Sequence, residues 1–324
     1  MLEGKSIAVV IPAHDEEKLI AATIAGVPSF VDRIIVVDDR SNDGTASAVE
    51  TLGDPRVELI RHERNEGVGA AIVTGYKRAR DEGIDVTAVM AGDNQMDPAD
   101  LETLVAPVAR EEVDYAKANR LFTGQAWDLI PRTRYLGNAV LSLLTKVASG
   151  YWHVADSQTG YTAISLEYLR LLDLDRIYKG YGMPNDMLVH LNIWNARVRD
   201  FPSRPIYNVG ERSGIRLRKV VPRISWLLVK GFFFRMREKY VIRDFHPLVF
   251  FYFLGFLMTT LGLALGIVEV VLRLMGNAIT TPTIVLVALL LISGSQFMLF
   301  AMWFDMESNK DLGGRGLRRT DRDS

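Results

Sequence analysis

VTAVMAGDNQMDP, residues 86–98, decides how the rest of the chain is read. Val86, Ala88, Val89 and Met90 form a short apolar run that predicts a buried strand. The run stops at Ala91 and Gly92, and Asp93, Asn94, Gln95 and Asp97 follow at once. Pro98 then opens a helical pattern over residues 99–110. An amide and carboxylates are thus expected just beyond the C-terminal end of a central strand. In open α/β sheets that is where ligands bind. Oxygen donors of this kind suit Mg2+ or Mn2+, ions that in turn bridge phosphate oxygens. An acidic turn leading into a helix is the plainer reading of the same residues.

Working outward, residues 6–11 (SIAVVI) read as a continuous apolar strand, as expected where both faces of a parallel sheet are covered. Residues 12–17 (PAHDEE) end it, and a helix is predicted over 19–27. Residues 33–37 form a second strand that runs into DDRSNDGT, 38–45, and a helix to about residue 52. A third strand at 57–61 leads to NEGVGAA, 65–71, which opens a helix to about residue 81. Strands alternating with helices at this spacing imply right-handed βαβ units and a mainly parallel sheet. Acidic or glycine-rich turns therefore recur at C-terminal strand ends. Asp15, Glu16, Asp38 and Asp39 can accept hydrogen bonds from base N–H groups and ribose hydroxyls. Gly67 and Gly69 are expected to let backbone approach a ligand. The glycines only partly match a dinucleotide fingerprint, because Ile72 stands at the third glycine position.

Composition narrows the classes. The chain has 324 residues, net charge −1 and no cysteine, so disulfides, thiolate metal sites and cysteine nucleophiles are excluded and nothing global points to nucleic acid. The first residues have too short an apolar run for a signal peptide.

The ordered set IPAHDEE, VVDDRSNDGT, NEGVGAA and MAGDNQMDP resembles glycosyltransferase family 2. Residues 114–120 (DYAKANR), 156–161 (DSQTGY) and 211–213 (ERS) resemble its polyprenyl-phosphate branch, and the resemblance covers residues 6 to about 245. It implies a GT-A catalytic domain, Rossmann-like with a mainly parallel sheet. By the resemblance Pro12, His14, Glu16 and Asp39 hold the nucleotide, with Asp38, Gly67 and Gly69 beside them. Asp93 matches the metal-binding second acid of the family's DxD and Gln95 a further metal-side ligand; Ala91 replaces the first acid. Arg120 and Arg134 would grip the acceptor phosphate, since arginine's planar fork suits phosphate. Asp156, Gln158 and Ser213 fall on the acceptor side. Asn185 and Asp186 stand where relatives carry an acidic pair before a helix, predicted here over 187–195; Asp186 is equally readable as that helix's N-cap. His153 and His190 lack metal-like spacing and are read as structural.

From residue 212 the character changes. Arg216, Arg218, Lys219, Arg223, Lys230, Arg235, Arg237, Lys239 and Arg243 alternate with Trp226 and Phe232 to Phe234, a pattern suited to an interfacial helix on an anionic leaflet. Residues 247–272 and 283–304 are each long and apolar enough to cross a bilayer. Cations flank both outer ends, so the positive-inside rule places both termini and the catalytic domain in the cytosol. The domains read as 1–210 catalytic, 211–245 basic juxtamembrane helices, 246–306 a transmembrane hairpin and 307–324 a disordered tail.

The expected activity is metal-dependent, inverting transfer of a sugar from a nucleotide diphosphate sugar, of GDP-mannose or UDP-glucose type, to a polyprenyl or dolichyl phosphate. The alternative is transfer to a sugar hydroxyl, with Asp156 or Asp186 as base. Partners are the nucleotide sugar, the lipid phosphate and the membrane, not nucleic acid; homo-oligomer formation is left open.

Overall fold

A computed structural model describes residues 1–120, 132–204, 217–276, 278 and 280–314, with backbone only at 132–139 and 217–219. Seven strands form one sheet in the order β3-β2-β1-β4-β6-β5-β7. They are β1 Ile7–Ala13, β2 Arg33–Asp38, β3 Val57–Arg61, β4 Val86–Val89, β5 Tyr115–Asn119, β6 Thr162–Ser165 and β7 Val198–Pro202. All pairings are parallel except those of β6, which runs against both β4 and β5. Helices α1 Ile20–Gly26, α2 Thr45–Thr51, α3 Val68–Asp81, α4 Leu101–Ala109, α5 Arg132–Ser149, α6 Leu166–Leu171 and α7 Met183–Ile193 alternate with them. The strand–helix alternation predicts this mainly parallel, Rossmann-like sheet, and the family resemblance implies its GT-A form.

Alternating residues of one strand feed opposite cores because side chains point to opposite faces. Ala8 and Val10 pack with Ala71, Ile72 and Tyr76 of α3. Ile7, Val9 and Ile11 pack with Ile20 and Ile24 of α1 and Leu101, Leu104 and Val105 of α4. Covering both faces explains why β1 and β2 carry no polar alternation.

Several elements differ from their predicted bounds. β1 continues through Pro12 to Ala13, where the Pro12 carbonyl accepts from Gly92 N–H and the Ala13 carbonyl from Asp39 N–H. The helix expected at 99–110 divides into a tight turn, Pro98–Asp100, and α4. Asp97 caps that turn, accepting from Ala99 N–H at 2.9 Å. α7 begins at Met183 rather than 187, with Pro184 in its first turn, where a missing N–H costs nothing. Asp186 therefore lies inside the helix and is not its N-cap. Strands β6 and β7 and helix α6 have no counterpart in the predicted elements.

The chain divides into two units, residues 1–233 with 311–324, and residues 234–310. Helix α8, Leu217–Arg237, carries the basic, aromatic stretch. Within it Ile224, Leu228, Phe232 and Met236 are buried while Trp226, Val229 and Phe233 are exposed. In the second unit, α9 Leu248–Leu274 and α10 Thr281–Ser308 are each long and apolar enough to cross a membrane. Their outward faces expose Phe253, Ile267, Ile292 and Leu299, which no core covers. They pack through small residues: a Cβ on Gly255 would lie 3.0 Å from Met298 N, and one on Gly294 would lie 2.8 Å from Thr259 N. Lys310–Gly313 forms a turn, and Leu312 packs against the core that contains α3. Residues 315–324 lie outside the described residues.

Candidate active site

The loops that leave β1 and β2 are laced into one platform. Asp15 N–H donates to Ser41 Oγ (3.0 Å), Asn42 N–H to Asp15 Oδ1 (2.8 Å), Glu16 N–H to Thr45 Oγ1 (2.8 Å) and Glu17 N–H to Asp43 Oδ2 (3.2 Å). Asp15 and Arg40 take left-handed backbone at φ 58° and 62° to make these turns. Pro12 is buried within β1, and His14 stands exposed, its Nδ1 3.0 Å from the Asp39 carbonyl. Asp38 is buried and accepts from Ser41 N–H at 2.9 Å. Asp39 is also buried; its oxygens accept from Glu66 N–H (2.8 Å) and Gly67 N–H (2.7 Å) and lie 2.8 Å from His62 Nδ1. His62 in turn lies 2.9 Å from Thr74 Oγ1. Asp39 thus fixes the glycine loop from beneath. Sequence reasoning passed over His62, whose only signal is its place just after β3.

The glycines of the 65–71 loop make room for another part of the chain. A Cβ on Gly69 would lie 2.5 Å from the Tyr178 carbonyl oxygen and 2.7 Å from Lys179 C; one on Gly67 would lie 2.7 Å from the Lys179 carbonyl oxygen. Ala70 N–H donates to that same carbonyl at 3.2 Å, and Lys179 pairs with Glu66 at 3.1 Å. A close approach at 67 and 69 is made by the chain's own 178–180 segment. Gly69→Ala is expected to destabilise the fold by about 1–3 kcal/mol, as backbone must move. Thermal melting checks it, and an unchanged midpoint would show that the segment yields freely.

At the end of β4, Asp93 Oδ1 accepts from Gln95 N–H at 3.2 Å, and Asn94 between them is left-handed at φ 57°. Gly92 is wedged against Ile20 and the Pro12 carbonyl, which fixes the turn to β1. Glu16, from the β1 loop, faces this turn. Burial, then the negative charges of Asp93 and Asp43, push its carboxyl up to about 7. Crowded carboxylates fit a hard divalent cation, which would relieve that repulsion. Among the described residues no group of three or more acids, histidines or cysteines is arranged to hold a metal ion. A cation here would accordingly need oxygens from a ligand as well.

On the other side of β4 lies the 155–160 loop. Asp156 is buried and binds Arg120 as a fork, Nε to Oδ2 at 2.7 Å and Nη2 to Oδ1 at 3.1 Å. Burial works to raise the Asp156 carboxyl, but Arg120 and then Lys117 outweigh it, and the group is held below the usual carboxylate range. Gln158 Nε2 donates to Ser157 Oγ and to Asn185 Oδ1, the latter at 3.0 Å. Asp186 Oδ2 accepts from Tyr178 N–H at 2.8 Å, with His190 3.8 Å away. His153 Nε2 lies 2.7 Å from the Val198 carbonyl, a structural role as read from sequence. The side chain of Arg134 and the whole of Ser213 lie outside the described residues.

Two further charged residues back this loop, Lys117 and Asp200. Burial lowers Lys117 to about 8. Burial also pushes Asp200 up to about 6, against Ala155 N–H and Lys117, which pull it down. A carboxyl raised in the folded state stabilises the fold below its unfolded value, and that stability is lost as pH rises through the folded value. Asp200→Asn is therefore expected to gain stability relative to the unsubstituted protein, on the order of 2 kcal/mol, as pH rises from about 4 to about 6. Paired melts across that range check it; parallel curves would contradict it.

Residues 8–172, half of the chain, match Glycosyl transferase family 2. The chain belongs to that family and is a glycosyltransferase. It is 30% identical over 221 residues to the UDP-N-acetylglucosamine–dolichyl-phosphate N-acetylglucosaminyltransferase of Methanococcus voltae, covering 64% of this chain and 88% of that protein. It is 28% identical over 201 residues to the undecaprenyl-phosphate mannosyltransferase of Micrococcus luteus, covering 60% and 82%. The fold is similar to that of glucosyl-3-phosphoglycerate synthase from Mycobacterium tuberculosis, solved with Mn2+, uridine diphosphate and glucosyl-3-phosphoglycerate. That likeness has a TM-score of 0.54 at 19% identity over 72% of this chain and 80% of that one, and it is a likeness of fold alone.

Proposed function

We propose that the protein transfers a sugar from a nucleotide diphosphate sugar to a polyprenyl phosphate at the cytosolic face of a membrane. The observation that carries this reading is a strand-end carboxylate site, suited to a metal and a diphosphate, in a chain that also holds two helices able to cross a bilayer. A lipid is then the natural acceptor. The relatives named for dolichyl phosphate, undecaprenyl phosphate and, in Mycolicibacterium smegmatis, polyprenol monophosphomannose support it.

In this reading the β1 and β2 platform, with His14, Glu16, Asp38 and Asp39, binds the nucleotide. Asp93 and Gln95 would hold Mg2+ or Mn2+ on the donor diphosphate. The ion supplies charge neutralisation on the leaving diphosphate. Arg120, held by Asp156 and about one-third exposed (36%), would face the acceptor phosphate with Gln158; Arg134 and Ser213 are assigned to the acceptor by the family resemblance alone. An acceptor phosphate oxygen attacks the anomeric carbon in line as the bond to the diphosphate oxygen breaks, and the configuration inverts. The nucleophile is already an oxyanion, so positioning and charge stabilisation do the work. A sugar hydroxyl would need a base. Asp156 is tied to Arg120 and held acidic, and Asp186 is tied to Tyr178 N–H, which favours the phosphate acceptor. Exposed Arg223, Lys230, Arg237 and Arg243 precede the first span, and Lys310 follows the second, in keeping with both termini in the cytosol.

The test is a panel of radiolabelled GDP- and UDP-sugars given to the full chain in vesicles with polyprenyl phosphate. One donor is expected to label organic-extractable lipid. Label that appears only on a sugar hydroxyl acceptor would overturn the reading.

A further inference from the structure

Lys117 and Asp200 are register partners on β5 and β7, and both point beneath the 155–160 loop. Lys117 is fully buried, and its Nζ donates to the Thr159 carbonyl at 2.9 Å. Asp200 Oδ2 accepts from Ala155 N–H at 2.6 Å and from Asp156 N–H at 3.4 Å. The two side chains therefore grip opposite ends of one short loop. Between those grips stands Asp156, whose carboxylate forks Arg120 and also accepts from Gln158 N–H at 3.2 Å.

Stability alone does not account for this pair. Burying ionic groups costs desolvation, and an apolar pair of similar volume is often as stable or more so. Asp200 carries the added cost of Oδ1, a buried oxygen with no hydrogen-bond partner among the described residues. What ions provide that apolar side chains do not is direction. A lysine ammonium and a carboxylate fix backbone atoms of the loop to within a hydrogen bond's tolerance. That tolerance passes through Asp156 to the plane of the Arg120 guanidinium.

We infer that Lys117 and Asp200 are positioning residues for acceptor binding: together they set the loop that sets Asp156, and so aim the Arg120 fork at the acceptor's phosphate. The inference rests on the proposed role of Arg120 at the acceptor. Neither residue touches substrate. Loss of either loosens the loop that carries Asp156, so the aim of the Arg120 fork is lost while the donor platform at β1 and β2 stays whole.

The experiment uses the full chain in vesicles and compares Lys117→Met, Asp200→Asn and Arg120→Lys, singly and combined. Asp200→Asn is isosteric and keeps an oxygen for Ala155 N–H. The double variant Lys117→Met with Asp200→Asn removes one charge of each sign, which keeps the site balanced should a single variant fail to fold. Each single variant is expected to raise KM for polyprenyl phosphate about 10-fold, with KM for the nucleotide sugar and kcat at saturating acceptor within about twofold. Lys117→Met added to Arg120→Lys is expected to raise acceptor KM less than a further twofold, because both act through one guanidinium. Folded Lys117→Met and Asp200→Asn proteins with unchanged acceptor KM, beside an Arg120→Lys protein whose acceptor KM rises, would overturn the positioning role alone. Fully multiplicative effects would do the same. An Arg120→Lys protein with unchanged acceptor KM would overturn the acceptor role of Arg120 and the inference with it.

Discussion

Asp93→Asn is expected to cut sugar transfer about 100-fold or more, a loss of about 3 kcal/mol of transition-state stabilisation. The substitution keeps the shape of the site. Asparagine's oxygen can still accept from Gln95 N–H, the bond that folds the turn after β4. What disappears is the negative charge at the point where a cation and a diphosphate would meet. Ala91 stands where the family's usual motif has its first acid, so no second carboxylate of that motif shares the burden. Steady-state transfer of labelled sugar measures the effect, and EDTA should abolish turnover of the unsubstituted protein to a similar degree. Near-normal turnover of Asp93→Asn, or of the native protein in EDTA, would sink the metal-site reading.

The same substitution has a second readout that needs no activity. Burial is the largest cause of the raised Glu16 carboxyl and the charge of Asp93 the next. Neutralising Asp93 should therefore move the Glu16 titration down from about 7. Spectroscopic titration of that carboxyl would see the shift even if catalysis were lost for another reason.

The sequence reveals most where burial is complete and local. β3 has the predicted bounds, 57–61, and β2 differs by one residue, because strands between two covered faces read as plain apolar runs. The strand-end turns were legible for the same reason: each interrupts such a run. β6 and β7 were not. β6 has only four residues and runs against its neighbours, so no βαβ spacing announces it. β7 carries Arg199 and Asp200 in mid-strand, and charges there break the apolar pattern. In hindsight those charges, with Lys117 inside YAKAN, were the signal: a strand that keeps an ion indoors has a use for it. Gly67 and Gly69 are visible in the sequence, yet the segment that packs against them, 178–180, lies over 100 residues away and leaves no local mark.

Distance hides a further feature. Arg235 and Lys239 fit the periodic basic face expected to meet the leaflet, but both are buried. Arg235 forks Asp305 at 2.8 and 2.9 Å across 70 residues of sequence. Tyr240 donates to the same carboxylate at 2.7 Å, and Lys239 donates to Asn309 Oδ1 at 2.8 Å. Asn309 Nδ2 closes the network on Tyr240 Oη and Asp305. The cluster ties the end of α8 and the π-helical turn after it, Glu238–Arg243, to the end of α10.

Asp305→Ala is accordingly expected to destabilise the second unit by about 3–5 kcal/mol, the usual cost of breaking a buried ion pair from one side. The penalty arises because Arg235 stays charged with no anion to meet it. Burial and the charge of Arg235 already push the Lys239 amine down to about 7, and loss of Asp305, which opposes them, lowers it further. Arg235→Leu combined with Asp305→Leu should lie far closer to the native protein than Asp305→Ala does, since removing both charges removes the uncompensated one. A chain ended at residue 244 repeats the single loss, keeping Arg235 and Lys239 without Asp305 or Asn309, and should aggregate for the same reason. Folded fraction after heating in detergent, followed by size-exclusion chromatography, measures all three. If Asp305→Ala survives heating as well as the native protein, the pair contributes nothing that solvent or lipid does not replace. The juncture between α8 and α10 would then be held by apolar packing alone.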